Sequence, residues 1–124
     1  HGYGTQQYPN GDVYIGKFEK GVKSGRGSYA FYDGSDYAGE WMDGRRYGRG
    51  TMRYSDGSRY SGDWENDLKH GWGKYEFANG DIYEGLFEKD RMHGYCGIYS
   101  FAKPSYLYYV GPFKDNKIHW KDCV

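Results

Sequence analysis

The chain has 124 residues, no formal net charge and 37% hydrophobic residues, more than half of them aromatic. With 21 Gly, 16 Tyr, 4 Trp and 6 Phe, bare backbone and flat rings replace the aliphatic core of an ordinary globular domain. Neutrality argues against nucleic acid, because a phosphate-binding surface needs a surplus of Lys and Arg. Disorder would account for the glycine and the polarity but not for rings placed at regular intervals.

The rings recur every 23 residues. Residues 1–13 read as the second half of a repeat: His1-Gly2-Tyr3-Gly4 matches His70-Gly71-Trp72-Gly73, and Asn10-Gly11 matches Asn79-Gly80. Starting in mid-repeat, the chain is expected to belong to a longer array. Three ungapped copies follow at 14–36, 37–59 and 60–82, each opening with Tyr-x-Gly-x-Phe/Trp. Gapless self-similarity at a fixed period is the signature of a repeat architecture, in which each unit buries surface only against its neighbours.

Within a copy the pattern has period two. Tyr14, Gly16 and Phe18 alternate, Gly21 marks a bend, and Gly25, Gly27, Tyr29 and Phe31 alternate again before Asp33-Gly34. Each half-repeat is therefore a predicted strand with a ring-and-glycine face and a polar face. Asp-Gly and Asn-Gly between such runs predict two-residue hairpin turns. The other bend carries Gly21, Gly44, Asp67, Asp90 and Asn116, residue types that enter the left-handed region readily. Hairpins joined edge to edge predict an all-β chain: one elongated, twisted, single-layer antiparallel sheet. The regular glycines predict rings lying flat over a neighbour's bare backbone, with Trp72 on the opposite face.

The fourth copy, 83–108, carries one residue more at His93-Gly94-Tyr95-Cys96-Gly97, which predicts a β-bulge. Pro104 replaces the turn glycine and lengthens that turn. Residues 109–124 form a degenerate copy expected to cap the array, with Pro112 on an edge strand and Trp120 folded over the end.

The pattern Tyr-x-Gly-x-Trp/Phe, bend, Gly-x-Gly, aromatic strand, Asp/Asn-Gly resembles the MORN repeat (membrane occupation and recognition nexus) over nearly the whole chain. The stretch Asp56-Gly57-Ser58-Arg59-Tyr60-Ser61-Gly62-Asp63-Trp64-Glu65-Asn66-Asp67-Leu68-Lys69-His70-Gly71 is similar to one in the MORN proteins of the ciliary radial spoke head. That resemblance implies a structural subunit of an axoneme, bound to other proteins of a multi-subunit assembly. MORN repeats also occur in membrane tethers, in lipid-kinase regulatory regions and ahead of a methyltransferase domain, so fold alone does not settle function.

Candidate sites are few. His1, His70, His93 and His119 share one repeat position. Adjacent repeats lie about 10 Å apart, too far for shared metal bonds of about 2 Å, so no metal is expected. No nucleophile elbow or phosphate loop is present, and neither enzyme activity nor a cofactor is expected. Cys96 is read as an inert thiol, and Cys96 and Cys123 without framework spacing suit a reducing compartment. With neither a signal-peptide pattern nor a membrane-spanning apolar run, a cytoplasmic setting is expected, and the resemblance to radial spoke head proteins implies a cytoskeletal or ciliary one.

Two surfaces remain. A protein-binding groove is expected from Tyr37, Trp41, Tyr54, Tyr60, Trp64, Tyr75, Tyr83 and Phe87, the alternative being internal packing. A basic rim along the longer bends is expected from Lys20, Lys23, Arg26, Arg45, Arg46 and Arg49, facing an acidic rim of Asp12, Asp33, Asp36, Asp56 and Asp81. Ordinary solvated turns compete with weak docking to anionic lipid headgroups. The leading expectation is a non-enzymatic scaffold that binds protein partners, with pairing of two copies through the array ends as a further mode. A peripheral module for anionic phospholipid and a regulatory region of a larger enzyme are the alternatives.

Overall fold

The structure is a computed structural model that describes residues 2–103 and 108–118. The expectations placed on His1, Pro104, His119, Trp120 and Cys123, and on the thiol of Cys96, lie outside the described residues and side chains. The strands are β1 (Gly2–Gln7), β2 (Val13–Glu19), β3 (Val22–Ala30), β4 (Asp36–Met42), β5 (Arg45–Arg53), β6 (Arg59–Glu65), β7 (Leu68–Glu76), β8 (Ile82–Glu88), β9 (Arg91–Ser100), β10 (Tyr108–Lys114) and β11 (Lys117–Ile118). They form one sheet in strictly sequential order, every neighbouring pair antiparallel. Period-two alternation of large rings with polar residues produces this arrangement, because one face of every strand seeks burial and the other faces water.

The two turn types are the reverse of the sequence expectation. The two-residue hairpin loops are not at Asp-Gly but at the other bend. Lys20 and Gly21 both have positive φ, as do Asp43 with Gly44, Asn66 with Asp67, Lys89 with Asp90, and Asp115 with Asn116. Positive φ at both central positions matches the twist of the flanking strands. At 31–35 only Gly34 has positive φ. There the Gly34 N–H bonds to the Phe31 carbonyl at 3.1 Å and the Phe31 N–H to the Ser35 carbonyl at 2.9 Å, inside a wider loop.

A second difference lies inside the strands. Gly16 pairs with Gly27 and Phe18 with Lys23, so β3 bulges between them around Gly25 at φ 70°. The bulge recurs at Gly48, Gly71 and Gly94, and β9 accommodates the inserted residue of the fourth copy at the same place. A bulge sharpens local twist and re-aims side chains.

Cross-strand register brings the interior glycines into a row: Gly4, Gly16, Gly27, Gly39, Gly50, Gly62, Gly73 and Gly85 are successive partners across eight strands. Tyr14, Tyr37, Tyr60 and Tyr83 lie on this row and are fully buried at 0% exposure. A β-carbon at Gly27, Gly50 or Gly73 would overlap the ring of Tyr14, Tyr37 or Tyr60 respectively. Each hydroxyl donates to a carbonyl three residues on, Tyr37 to Glu40 at 2.9 Å and Tyr60 to Asp63 at 2.7 Å, so none of the four buried hydroxyls is left unpaired. Trp41 and Trp64 stand edge-on between successive tyrosines and donate to the carbonyls of Gly27 and Gly50 at 3.1 Å. The core of this single-layer sheet is therefore its own backbone, covered by rings.

Candidate binding face

Since the hairpin loop has only two residues, the chain re-enters the sheet at Val22, Arg45 and Leu68. The next residue then points onto the ring face, and that residue is a cation in three consecutive copies. Lys23 Nζ stands 5.2 Å from the Trp41 ring centre and 5.4 to 5.9 Å from those of Tyr8, Tyr14 and Tyr29. The Arg46 guanidinium lies 4.7 Å from Trp64, and Lys69 Nζ is 5.3 to 5.8 Å from Tyr54, Tyr60 and Tyr75. Ring quadrupoles attract such cations, more strongly where water is displaced. In the fourth copy Met92 takes the place and is buried.

Loop residues of the following repeat serve two of these cations. Asp67 accepts the Arg46 backbone N–H at 2.8 Å and its Nε at 3.1 Å. Asp90 accepts the Lys69 backbone N–H at 2.8 Å and faces its Nζ at 3.7 Å. Burial lowers the Lys69 ammonium below the usual lysine range, opposed by Asp90. Burial raises the Tyr37 and Tyr60 phenols and pushes Tyr83 up to about 12.

At the opposite sheet margin, Asp12 is buried. It accepts the Tyr29 hydroxyl at 2.7 Å and the Tyr32 N–H at 2.8 Å. These bonds, Tyr29 first, hold its carboxyl below the usual range. Asp81 is held low in the same way, first by the Ala102 N–H and then by Tyr99, which donates to it at 2.7 Å. Ser35 and Ser58 occupy the same repeat position and bond back to Asp33 and Asp56. The expected acidic rim is thus turn architecture for these four aspartates, while Asp36 pairs with Arg53 at 3.1 Å.

Of the eight expected groove residues, Tyr37, Trp41, Tyr60, Trp64, Tyr83 and Phe87 are buried in the ring-on-glycine core. Tyr54 and Tyr75 keep partial exposure, their tilted rings 5.9 Å apart. Tyr29, Phe31, Phe77 and Tyr99 extend the half-buried row. Two cavities open on this face at equivalent places two repeats apart. One, of about 190 Å³, is lined by Lys23, Tyr29, Phe31, Trp41 and Gly44, with Arg46 and Asp67 at its far side. The other, of about 430 Å³, is lined by Lys69, Tyr75, Phe77, Phe87, Asp90 and Met92, with Tyr99 and Asn116 beyond them.

The expected basic rim is corrected in its placement. Lys20 and Arg45 are exposed at the hairpin loops. Arg26 and Arg49 lie on the polar face, Arg49 paired with Asp63 at 3.3 Å. Lys23 and Arg46 are on the ring face. The six therefore belong to three surfaces, and the loop position of Lys20 is filled by Asp43, Asn66, Lys89 and Asp115 in other copies. The signal for the ring-face cations was present as parity, because Lys23, Gly25, Gly27 and Tyr29 are all odd. It is readable once the bend is known to have two residues. Trp72 is on the polar face, 49% exposed beside Leu86. His70 and His93 face Glu65 at 3.7 Å and Glu88 at 3.4 Å within their own hairpins.

No curated protein matches the chain significantly. The MORN repeat family matches residues 1–13, 14–36, 37–59, 60–82 and 83–103, the first unit holding β1 and the other four each a hairpin of the sheet. Repeats of this family are protein- and membrane-interaction modules, and the family is not one of enzymes. The chain belongs to the MORN-repeat family.

Proposed function

We propose that the array is a non-enzymatic scaffold that holds a protein partner along its ring face. Its setting in this reading is a ciliary axoneme, as a radial-spoke-like structural component, or another cytoskeletal assembly. The observation that carries the binding mode is the half-buried row Tyr29, Phe31, Tyr54, Tyr75, Phe77 and Tyr99, with two cavities open along it. Rigid aromatic surface next to partly desolvated charge suits a protein segment, since rings give large contact area for few rotatable bonds. The axonemal setting rests on the sequence pattern of residues 56–71 alone, since no curated protein matches the chain. Dispersal of the six basic side chains over three surfaces favours a protein partner over an anionic membrane, which needs clustered cations.

Extraction of the source cells with non-ionic detergent tests this reading, comparing the natural protein with Tyr75→Ala and with the polar-face variant Arg49→Met. The natural protein and Arg49→Met should stay with the insoluble cytoskeleton and cross-link to neighbours. Tyr75→Ala should shift to the soluble fraction and lose those cross-links. A protein that leaves with detergent-soluble membranes, or Tyr75→Ala retained like the natural chain, would remove the basis of the proposal.

A further inference from the structure

Three successive copies place a cation over the rings, and the loop of the next copy decides its counter-ion. The backbone connection is the same each time: the N–H of Gly44, Asp67 and Asp90 bonds to the carbonyl of Lys23, Arg46 and Lys69 at 3.0, 3.1 and 2.9 Å. Only the side chains differ. Asp67 and Asp90 return a carboxylate to Arg46 and Lys69. Gly44 returns nothing to Lys23, and among the described residues Lys23 forms no ion pair. A β-carbon at Gly44 would meet open space. The cavity of about 190 Å³ opens at this place, walled by Tyr29, Phe31 and Trp41. The Asp67 carboxylate on its far side already accepts two hydrogen bonds from Arg46, whose guanidinium also donates to the Asp67 carbonyl.

We infer that this niche takes an aspartate or glutamate side chain from an extended acidic segment of the protein partner, its carboxylate filling the counter-ion place that Asp67 and Asp90 fill from within the chain. The inference rests on the ring face being the partner surface and specifies the chemistry recognised there. The occupant is argued from charge complementarity and from two internal precedents with the same backbone geometry. Rings crowd water away from Lys23, so a carboxylate brought to it is attracted more strongly than at an open surface. A neutral side chain would leave the ammonium without an anion and gain only ring contact.

Two substitutions are already written elsewhere in the array. Gly44→Asp installs the internal counter-ion at a loop position where Asp67 and Asp90 have φ 69° and 72°. Lys23→Met copies Met92. Both should fold with melting temperatures close to that of the natural chain. The probe is a fluorescein-labelled decapeptide library with random flanks and a central Asp, Glu, Asn or Lys, read by fluorescence polarisation. The natural chain should favour central Asp or Glu over Asn by roughly tenfold, the scale of a charge-assisted bond. Gly44→Asp and Lys23→Met should each erase the preference, and Arg49→Met should keep it. If peptides bind and Tyr75→Ala weakens them, but no acid preference exists or it survives both variants, the niche inference is overturned while the ring face remains the partner surface. Peptide binding absent, or indifferent to Tyr75→Ala, overturns both. Vesicles of phosphatidylcholine with phosphatidylserine that bind in a Lys23-dependent manner, where peptides do not, would replace the acidic protein segment by a lipid surface.

Discussion

Gly73 and Lys74 are adjacent in β7 and have opposite fates. Gly73 underlies the Tyr60 ring, whereas Lys74 is nearly half exposed on the polar face, 3.6 Å from Glu76. Gly73→Val forces a branched side chain into the ring and should lower stability by about 2 kcal/mol or more, while Lys74→Val stays within about 0.5 kcal/mol. Equal thermal melts for the two would contradict the ring-on-glycine packing. The aspartates at the loops allow a pH experiment. Asp12 and Asp81 titrate lower in the fold than in the unfolded chain. Their contribution is therefore complete above the ordinary carboxylate range near about pH 4 and is lost as pH falls through their lowered folded values. Tyr29→Phe removes the foremost cause at Asp12, so its melting temperature should decline less steeply on acidification. Parallel acid limbs for the two proteins would show that the Tyr29 bond is not what holds Asp12 low.

The hairpin is the element that converts residue chemistry into a surface. Its two-residue loop and its glycine bulge together aim Lys23, Arg46, Lys69 and Met92 at the same ring-face position. A cation there is not required for folding, since Met92 fills the place in β9 while the Asn116 side chain still accepts its N–H at 2.6 Å. Lys69→Met should therefore keep or slightly raise the urea midpoint, by less than about 1 kcal/mol, because the desolvation cost of the ammonium goes while Asp90, nearly half exposed, keeps the residue-69 N–H and water as partners. The pH dependence carries the same sign. The lowered Lys69 means the unfolded chain binds more protons between the folded and ordinary lysine values. The natural protein should gain stability as pH rises through that window, and Lys69→Met should lack the gain. A midpoint that falls in Lys69→Met would mean the cation holds the hairpin together.

For the whole molecule, interactions pass only between neighbours, since each strand pairs with those adjacent in sequence. The ring stack has the same short range. Tyr37 touches both Trp41 and Trp64, with ring centres 5.1 and 5.4 Å apart, whereas Phe87 touches Tyr60 and Tyr83 and shares no ring with Trp41. A double-mutant cycle on Trp41→Phe and Trp64→Phe should show coupling above about 0.5 kcal/mol, and one on Trp41→Phe and Phe87→Leu should be additive within that margin. Coupling in both would indicate a cooperative core instead of a nearest-neighbour array.

The 23-residue period, the strand alternation, the sequential sheet and the ring-on-glycine face are all legible in the amino-acid order, because each depends on contacts between neighbours whose spacing is written in the chain. The exposed Trp72 and the inserted residue near Gly97 are legible for the same reason. Which bend is the two-residue loop is not, because Asp-Gly tolerates either geometry and the choice depends on which residues take positive φ when the strands pair. From that one uncertainty follow the misplacement of Lys23 and Arg46 on a rim and the omission of Met92. Burial of Tyr37, Tyr60 and Tyr83 against the partial exposure of Tyr54 and Tyr75 was likewise beyond the pattern, since all five alternate alike and only their distance from the glycine row separates them. The sequence by itself determined the repeat and its hairpins. The tertiary structure decided which rings are core and which remain open, because that depends on the backbone lying beneath each ring across the strand pair.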